Sequence, residues 1–209
     1  MTIVRPRLND FFGLPFTQDE VDFAIPFLDE DVPLYLDPFL LWKSPSQQDN
    51  ALHTSVVNSF NYLGNLFNQG KTKEAVQNLI LSSECDEVGL GDSRKRVGKP
   101  IGEALANEIL NLFRSVPQVT KSGFIHFEEI QLLVDQVSKD RVSDIACTFL
   151  KSFLIDYTID QCQKHGIPIE KVQLSAVFQY KTNSFRPEKL TCPLIHPRGS
   201  PSFSFRRDG

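Results

Sequence analysis

Between Leu52 and Phe67, apolar residues follow a helical periodicity, and this pattern constrains the fold more than any other feature of the sequence. They recur every three or four positions, the spacing of one face of an α-helix. The positions are Leu52, Val56, Phe60, Leu63 and Phe67. Gly70 follows, and glycine commonly ends a helix. The pattern predicts an amphipathic helix that buries one face, and hence a fold of packed helices.

Three more segments carry helical patterns. Residues 72–83 predict a helix that forms a hairpin with the first, and residues 105–113 predict a third helix that ends before Pro117. A longer helix is predicted from Arg141 to His165, closed by Gly166. Apolar residues cover much of its circumference, so we expect this helix to be central and buried on several sides.

Two segments predict β-strands. Phe124–Val134 is rich in β-favouring residues at both ends, although its middle fits a helix equally well. Val172–Tyr180 predicts the second strand. Together with the helices, these strands predict an α+β fold, a mainly helical single domain with a small β-sheet and an extended N-terminal arm.

Prolines at positions 15, 26, 33 and 38 divide the first 50 residues. Each proline removes a backbone donor and favours an extended residue before it. Residues 1–50 are therefore predicted to be an extended Phe/Pro-rich arm packed on the core of residues 51–180, with only a short helix from about residue 18 to Pro26. Residues 181–209, rich in Pro, Ser and Arg, are predicted to be a partly mobile tail.

Length, charge and hydropathy exclude several classes of protein. A chain of 209 residues with 41% hydrophobic positions can form one domain with a substantial core. The net charge of -4 argues against a non-specific nucleic-acid coat. The four cysteines form no C-x-x-C pair, which argues against a zinc knuckle. Since no window reaches the roughly 18–20 apolar residues of a membrane span, we expect no membrane contact and a cytoplasmic protein with reduced thiols.

Residues 84–102 form a basic, glycine-rich stretch without helical or alternating periodicity. Its glycines let the backbone approach a ligand, and its cations attract anions, which predicts phosphate binding. The predicted phosphate-binding residues are Arg94, Lys95, Arg96, Gly98, Lys99 and Gly102. The stretch matches neither the Walker nor the dinucleotide fingerprint. A solvated surface loop and a protein-docking loop remain as alternatives.

Asp140 and Asp144 lie four residues apart at the start of the long helix, so both carboxylates project to one side. Such a pair can hold Mg²⁺, and Glu129 is the third candidate catalytic carboxylate. Ordinary helix capping explains Asp140 equally well. Glu129 can also belong to an exposed face, and the nearby His126 can be a half-buried structural histidine.

A second acidic stretch lies in the arm, around a short apolar segment. It consists of Asp29, Glu30, Asp31 and Asp37, with Trp42 just beyond. A metal site, a partner site and a solubilising role are the alternatives.

The stretches 31–41, 140–144 and 154–158 resemble a family of bacterial hypothetical proteins, over roughly residues 8–180. No activity and no site residue is carried over from this family. The resemblance implies a setting near defence or mobile-element genes, which favours a link to nucleic acid.

Three functions are compatible with these features. The first is a non-catalytic binding or regulatory module of a bacterial, defence-related complex, with a protein partner. The second is a Mg²⁺-dependent nuclease-like protein that uses Asp140, Asp144 and Glu129 on nucleic acid. The third is a small-nucleotide or phosphate sensor on the glycine-rich loop.

Overall fold

A computed structural model of the chain describes residues 6–91 and 100–192. In chain order its helices are α1 (Leu8–Phe12), α2 (Pro38–Lys43), α3 (Gln47–Asn68), α4 (Thr72–Ser82), α5 (Glu103–Ser115), α6 (Pro117–Ser122), α7 (Ile130–Leu133), α8 (Lys139–Phe149) and α9 (Lys151–His165). Two 3-10 helices span Gln18–Glu20 and Phe127–Glu129, and the strands are β1 (Glu170–Gln179) and β2 (Ser184–Cys192). The predicted α+β class, mainly helical with a small sheet, is confirmed. Among the described residues, no helix combines the length and the apolar character needed to span a membrane.

The main core lies between α3, α4, α5 and α8. Phe60 of α3, Phe113 of α5 and Phe149 of α8 are fully buried in it. The ring of Phe60 lies 5.9 Å from that of Phe113 and 5.3 Å from that of Phe127, measured between centroids. Burying one such side chain stabilises a fold by about 1.5–3 kcal/mol, so these aromatic residues contribute strongly to the stability of the core.

Helix α8 is enclosed on most of its surface, since seven of its eleven residues are buried. This burial agrees with the predicted central helix, but the prediction of one helix from Arg141 to His165 is wrong. The segment forms two helices, because Leu150 has a ψ of 2°, far from the helical value of about −42°. Lys151 begins α9 directly after this break.

The strands β1 and β2 form a two-stranded antiparallel sheet. Phe178 of β1 is buried, and its ring lies 5.0 Å from that of Phe149. Strand β1 agrees with the strand predicted at 172–180. Strand β2 lies within the segment 181–209 that was predicted to be a tail. Its Pro187 falls at the register irregularity between Leu174 and Val177, where a ladder hydrogen bond is not needed.

The arm packs on the C-terminal end of α9 through a second hydrophobic cluster. This cluster contains Leu8, Val21, Phe23, Ile25 and Leu28 of the arm together with Cys162 and Ile167. Because Val21, Phe23 and Ile25 alternate with more exposed residues, the chain is extended here. The short helix predicted up to Pro26 is therefore wrong, and only the 3-10 turn Gln18–Glu20 forms.

Two prolines begin helices instead of preventing them. Pro38 starts α2 and Pro117 starts α6. Proline suits the first helical position, because its missing N–H has no partner there and its φ is already helical. The arm is therefore not extended throughout, and α6 is a helix that the sequence patterns did not predict.

The strand predicted at Phe124–Val134 is wrong, because the segment forms a 3-10 helix followed by α7. The buried apolar positions are Phe124, Phe127, Ile130 and Val134. Their spacing of three and four residues is helical, so the helical alternative describes this segment.

Replacing Gly64 with alanine is expected to destabilise the fold. A Cβ atom built on Gly64 would lie 2.2 Å from Cδ1 of the buried Phe113 ring. Alanine favours a helix over glycine by about 1 kcal/mol, but overpacking a core costs about 1–3 kcal/mol. Because the approach is so close, we take the upper end of the overpacking range and expect a net loss of about 2 kcal/mol in the free energy of unfolding, measured by urea denaturation.

Asn65→Ala is the matched control for Gly64→Ala, because Asn65 is the exposed neighbour on the same helix. Its free energy of unfolding should stay within about 0.5 kcal/mol of the wild-type value. Equal stability of the two variants would contradict the prediction.

Candidate functional site

Carboxylates from three separate stretches of the chain lie near enough to the N-terminal half of α8 to act on one another electrostatically. We call this group the acidic cluster, and its members are Asp31, Glu84, Asp86, Asp140 and Asp144. Asp31 comes from the arm, and Glu84 and Asp86 follow α4. Asp140 lies in the first turn of α8, as helix-dipole stabilisation favours, and Asp144 lies one turn further along. The two sequence-predicted aspartates therefore have three additional acidic neighbours.

Backbone pairing and two side chains of α8 bring these stretches together. The N–H of Val32 donates to the carbonyl of Gly89 at 2.9 Å, and the N–H of Gly91 donates to the carbonyl of Val32 at 3.0 Å. The hydroxyl of Ser143 accepts from the N–H of Leu36 at 2.9 Å. The hydroxyl of Thr148 donates to the carbonyl of Glu84 at 3.1 Å. Both acidic stretches outside α8 are thus attached to α8.

Gly91 lies directly against two carboxylates of the acidic cluster. A Cβ atom built on it would lie 2.9 Å from Oδ1 of Asp140 and 3.6 Å from Oδ2 of Asp31. Its φ of +132° is also one that residues with a side chain rarely adopt. Glycine is therefore required here, both by the backbone and by the approach of Asp140.

Burial and like charge raise the pKa values of two members of the acidic cluster. The pKa of Asp144 is raised to about 8, first by burial and then by the negative charge of Glu84 and the other acidic neighbours. The pKa of Glu84 is raised to about 7 by burial, by the charge of Asp86 and by a hydrogen bond between these two carboxyl groups. Both groups therefore exchange protons near neutral pH, a property that is common at functional sites.

Lys151 lies seven residues after Asp144, a spacing that would place both on one side of a continuous helix. Instead it forms an ion pair with Glu87, which lies outside the acidic cluster. Its Nζ lies 3.2 Å from Oε1 and 3.0 Å from Oε2 of Glu87. The exposed fractions of the two side chains are 5% and 14%. A buried ion pair of this kind requires both partners, since removing one leaves an uncompensated charge.

Glu129, the third predicted catalytic residue, lies on the 3-10 helix Phe127–Glu129 and is exposed. Its charge acts on its neighbour Glu128, whose pKa is raised mainly by burial. The carboxylates that act on Asp144 are instead Glu84, Asp140, Asp31 and Asp86. The structure thus groups Asp140 and Asp144 with Glu84, which the sequence patterns did not single out.

The predicted phosphate-binding residues lie almost entirely outside the described residues. Arg94, Lys95, Arg96, Gly98 and Lys99 belong to the stretch 92–99, which is not described. Gly102 is described as the exposed N-cap of α5. Its carbonyl accepts from the N–H of Ala106 at 3.0 Å.

The raised pKa of Asp144 predicts that stability falls as the pH rises. The group ionises near its ordinary value of 3.8 in the unfolded chain and near 8 in the folded chain. Between these pH values the folded state keeps a proton that the unfolded state has released, so the free energy of unfolding decreases with rising pH.

Asp144→Asn should weaken this decrease, because asparagine is neutral at every pH. At pH 8 we expect the variant to be more stable than the wild type by about 1 kcal/mol, or about 2–4 °C in Tm. Thermal melts from pH 4 to pH 8 measure the effect, with the exposed Asp156→Asn on α9 as the control. Parallel stability curves for wild type and Asp144→Asn would contradict it.

The chain matches a known protein family. The profile of a protein family, described as a domain of unknown function (DUF8370), matches residues 13–201. No curated protein and no solved structure matches the chain. The match confirms the resemblance to a family without a characterised activity, and it covers nearly the whole sequence. The chain belongs to the DUF8370 family.

Proposed function

We propose that the chain is a binding module that docks a protein partner through an exposed apolar surface on α2 and residues 125–133. One observation carries this proposal. Five of the nine large hydrophobic side chains that are exposed among the described residues belong to these two segments. They are Leu40, Trp42, Ile125, Leu132 and Leu133. We call this group the aromatic surface after Trp42, whose ring contacts that of His126 in the second segment.

The two parts meet at a cluster of three rings. The ring of Trp42 lies 5.3 Å from that of Phe39 and 4.9 Å from that of His126. Ile125 precedes His126 and is 63% exposed, and Leu132 on α7 is 82% exposed. Exposing such side chains to water is unfavourable, and groups of them on a soluble domain mark interaction sites.

The main-chain segment that carries Trp42 is held in place before any partner arrives. The side-chain amide nitrogen of Asn50 on α3 lies within hydrogen-bond distance of three carbonyls at the end of α2, which share its two hydrogens: those of Leu41 at 2.9 Å, Trp42 at 3.1 Å and Ser44 at 3.0 Å. At the other end, a carboxylate oxygen of Asp37 accepts from the N–H of Phe39 at 3.0 Å. A preorganised segment loses little conformational entropy on binding.

The charges beside the aromatic surface define the kind of partner. Asp37, Glu129 and Asp135 are exposed on the same two stretches of chain, where Lys43 is the basic counterpart. An acidic border favours a partner with complementary charge. The expected partner therefore presents an apolar segment flanked by Lys or Arg.

The double variant Trp42→Ala/Leu132→Ser is expected to lose the partner. The immobilised full-length chain captures the partner from a native lysate, mass spectrometry identifies it, and calorimetry with the purified partner gives Kd. Since central aromatic residues dominate binding energies, we expect Kd to rise at least about tenfold.

Leu81→Ser is the control for the double variant, because Leu81 is an exposed leucine on α4, outside the aromatic surface. This control should bind with the wild-type Kd. If the purified protein binds the double variant as tightly as the wild type, the proposal is wrong.

Mg²⁺-dependent cleavage of a phosphodiester is the second candidate function. The electrostatic grouping of distant carboxylates around Asp144 favours it, because carboxylates are the protein ligands of Mg²⁺. In this proposal Glu84 takes the role that the sequence assigned to Glu129, beside Asp140 and Asp144. Arg94, Lys95, Arg96 and Lys99 keep their predicted role of steering phosphates.

This second function predicts Mg²⁺-dependent cleavage of DNA or RNA that Asp144→Ala abolishes while Asp156→Ala retains it. Gel assays on single- and double-stranded substrates, with and without chelator, measure the activity, and circular dichroism checks that both variants fold. A wild-type chain that is inert on the whole panel would eliminate this candidate.

Two earlier expectations stay predictions. A small-nucleotide or phosphate sensor depends on residues 92–99, which lie outside the described residues. A place in a bacterial defence complex depends on the identity of the captured partner.

A further inference from the structure

Two histidines and one glutamate from separate parts of the chain meet beneath the aromatic surface. His53 lies on α3, and His126 and Glu128 lie at the 3-10 helix that precedes α7. Nδ1 of His126 is 3.3 Å from Nε2 of His53 and 3.5 Å from Oε1 of Glu128. One ligand atom from each residue lies within 4.8 Å of the other two.

These separations match the edges of a metal coordination shell. At metal–ligand distances of about 2.1 Å, neighbouring ligand atoms of a tetrahedral zinc site lie about 3.4 Å apart. The two separations measured from His126 fall on either side of this value. With the separation between His53 and Glu128 also within 4.8 Å, the three side chains surround a space that one ion can occupy.

Glu128 gives independent support, because its carboxylate is buried without adequate partners. Only 8% of the residue is exposed, and neither carboxylate oxygen accepts a hydrogen bond from another of the described residues. His126 approaches at 3.5 Å, which is an ion-pair distance and too long for a good hydrogen bond. A buried, unsatisfied carboxylate is costly, and a cation between it and the histidines would remove that cost.

The surroundings fix the ring of His126 and favour a cation. The rings of Phe39 and Trp42 lie 5.4 Å and 4.9 Å from it, both edge-on. The charges of Asp37 and Glu129 act on Glu128, so the site lies in a negative field. Packing against the two rings holds the imidazole of His126 in one orientation, and the neighbouring negative charges attract a cation.

We propose that His53, His126 and Glu128 bind a divalent transition-metal ion of the zinc class, through two imidazole nitrogens and one carboxylate oxygen. Imidazole ligands select zinc and similar ions over Mg²⁺ and Ca²⁺. Three protein ligands leave a fourth position for water or a bound molecule. This site goes beyond the proposed partner surface and does not rest on it.

Metal titration of the full-length chain tests the site. The purified chain is freed of metal with a chelator and titrated with Zn²⁺ by calorimetry, and with Co²⁺ by visible absorption. We expect one ion per chain, Co²⁺ bands that Zn²⁺ abolishes, and no competition from excess Mg²⁺. A wild-type chain that binds no stoichiometric Zn²⁺ would overturn the proposal.

Two glutamates provide a matched pair of variants. Glu128→Gln removes the carboxylate ligand without changing its size, and Glu108→Gln changes an exposed glutamate on α5, outside the site. We expect the first to weaken Zn²⁺ binding at least about tenfold and the second to leave it unchanged, since even loss of an outer-shell partner costs about 10–100-fold.

The same comparison applied to the histidines locates the ion. His53→Asn and His126→Asn should weaken binding, whereas His165→Asn, at the end of α9, should not. Circular dichroism and the Tm of the metal-free proteins confirm that each variant folds. Wild-type Zn²⁺ affinity in a folded Glu128→Gln or His53→Asn variant would place the ion elsewhere and overturn the proposal.

Discussion

The burial of α8 is the constraint on which the rest of the structure depends. Its apolar side chains, such as Ile145 and Phe149, fill the main core, so its polar groups must find partners inside the protein. Ser143 binds the main chain of the arm, and Thr148 binds the main chain after α4. These two hydrogen bonds attach both stretches to α8. The carboxylates of the two stretches therefore lie near Asp140 and Asp144 of α8, and together they form the acidic cluster.

A helix whose burial repeats with a single period could be predicted from the sequence, as the helix around Phe60 was. Strand β1 was predicted too, although its consecutive residues Val177 and Phe178 are both buried beside a register irregularity. Phe124–Val134 was misassigned because β-favouring residues occupy positions that are buried with helical spacing. The break at Leu150 could not be predicted from the sequence, because apolar residues with helical spacing continue on both sides of it. Pro38 and Pro117 were interpreted as helix breakers, although proline is also favoured at a helix start.

Site residues could be predicted to lie close together only where they share one helix or strand. Asp140 and Asp144 share a helix, and their spacing alone places them together. Glu84 joins them only through tertiary packing, and His53 lies 73 residues from His126 along the chain. Composition alone does not indicate such pairs. Burial makes carboxylates unstable as ions in both places. In the acidic cluster protons offset this cost, whereas Glu128 has two histidines beside it.

The contact between Gly64 and the ring of Phe113 has a consequence for the evolution of the family. Helices α3 and α5 approach so closely at this point that there is room for the ring of Phe113 but not for a side chain at position 64. A mutation that enlarges residue 64 can be accepted only after, or together with, one that shrinks residue 113. These two positions, far apart in the sequence, should therefore vary as a pair among relatives, and an alignment deep enough to show covariation would detect the packing of these helices without any coordinates.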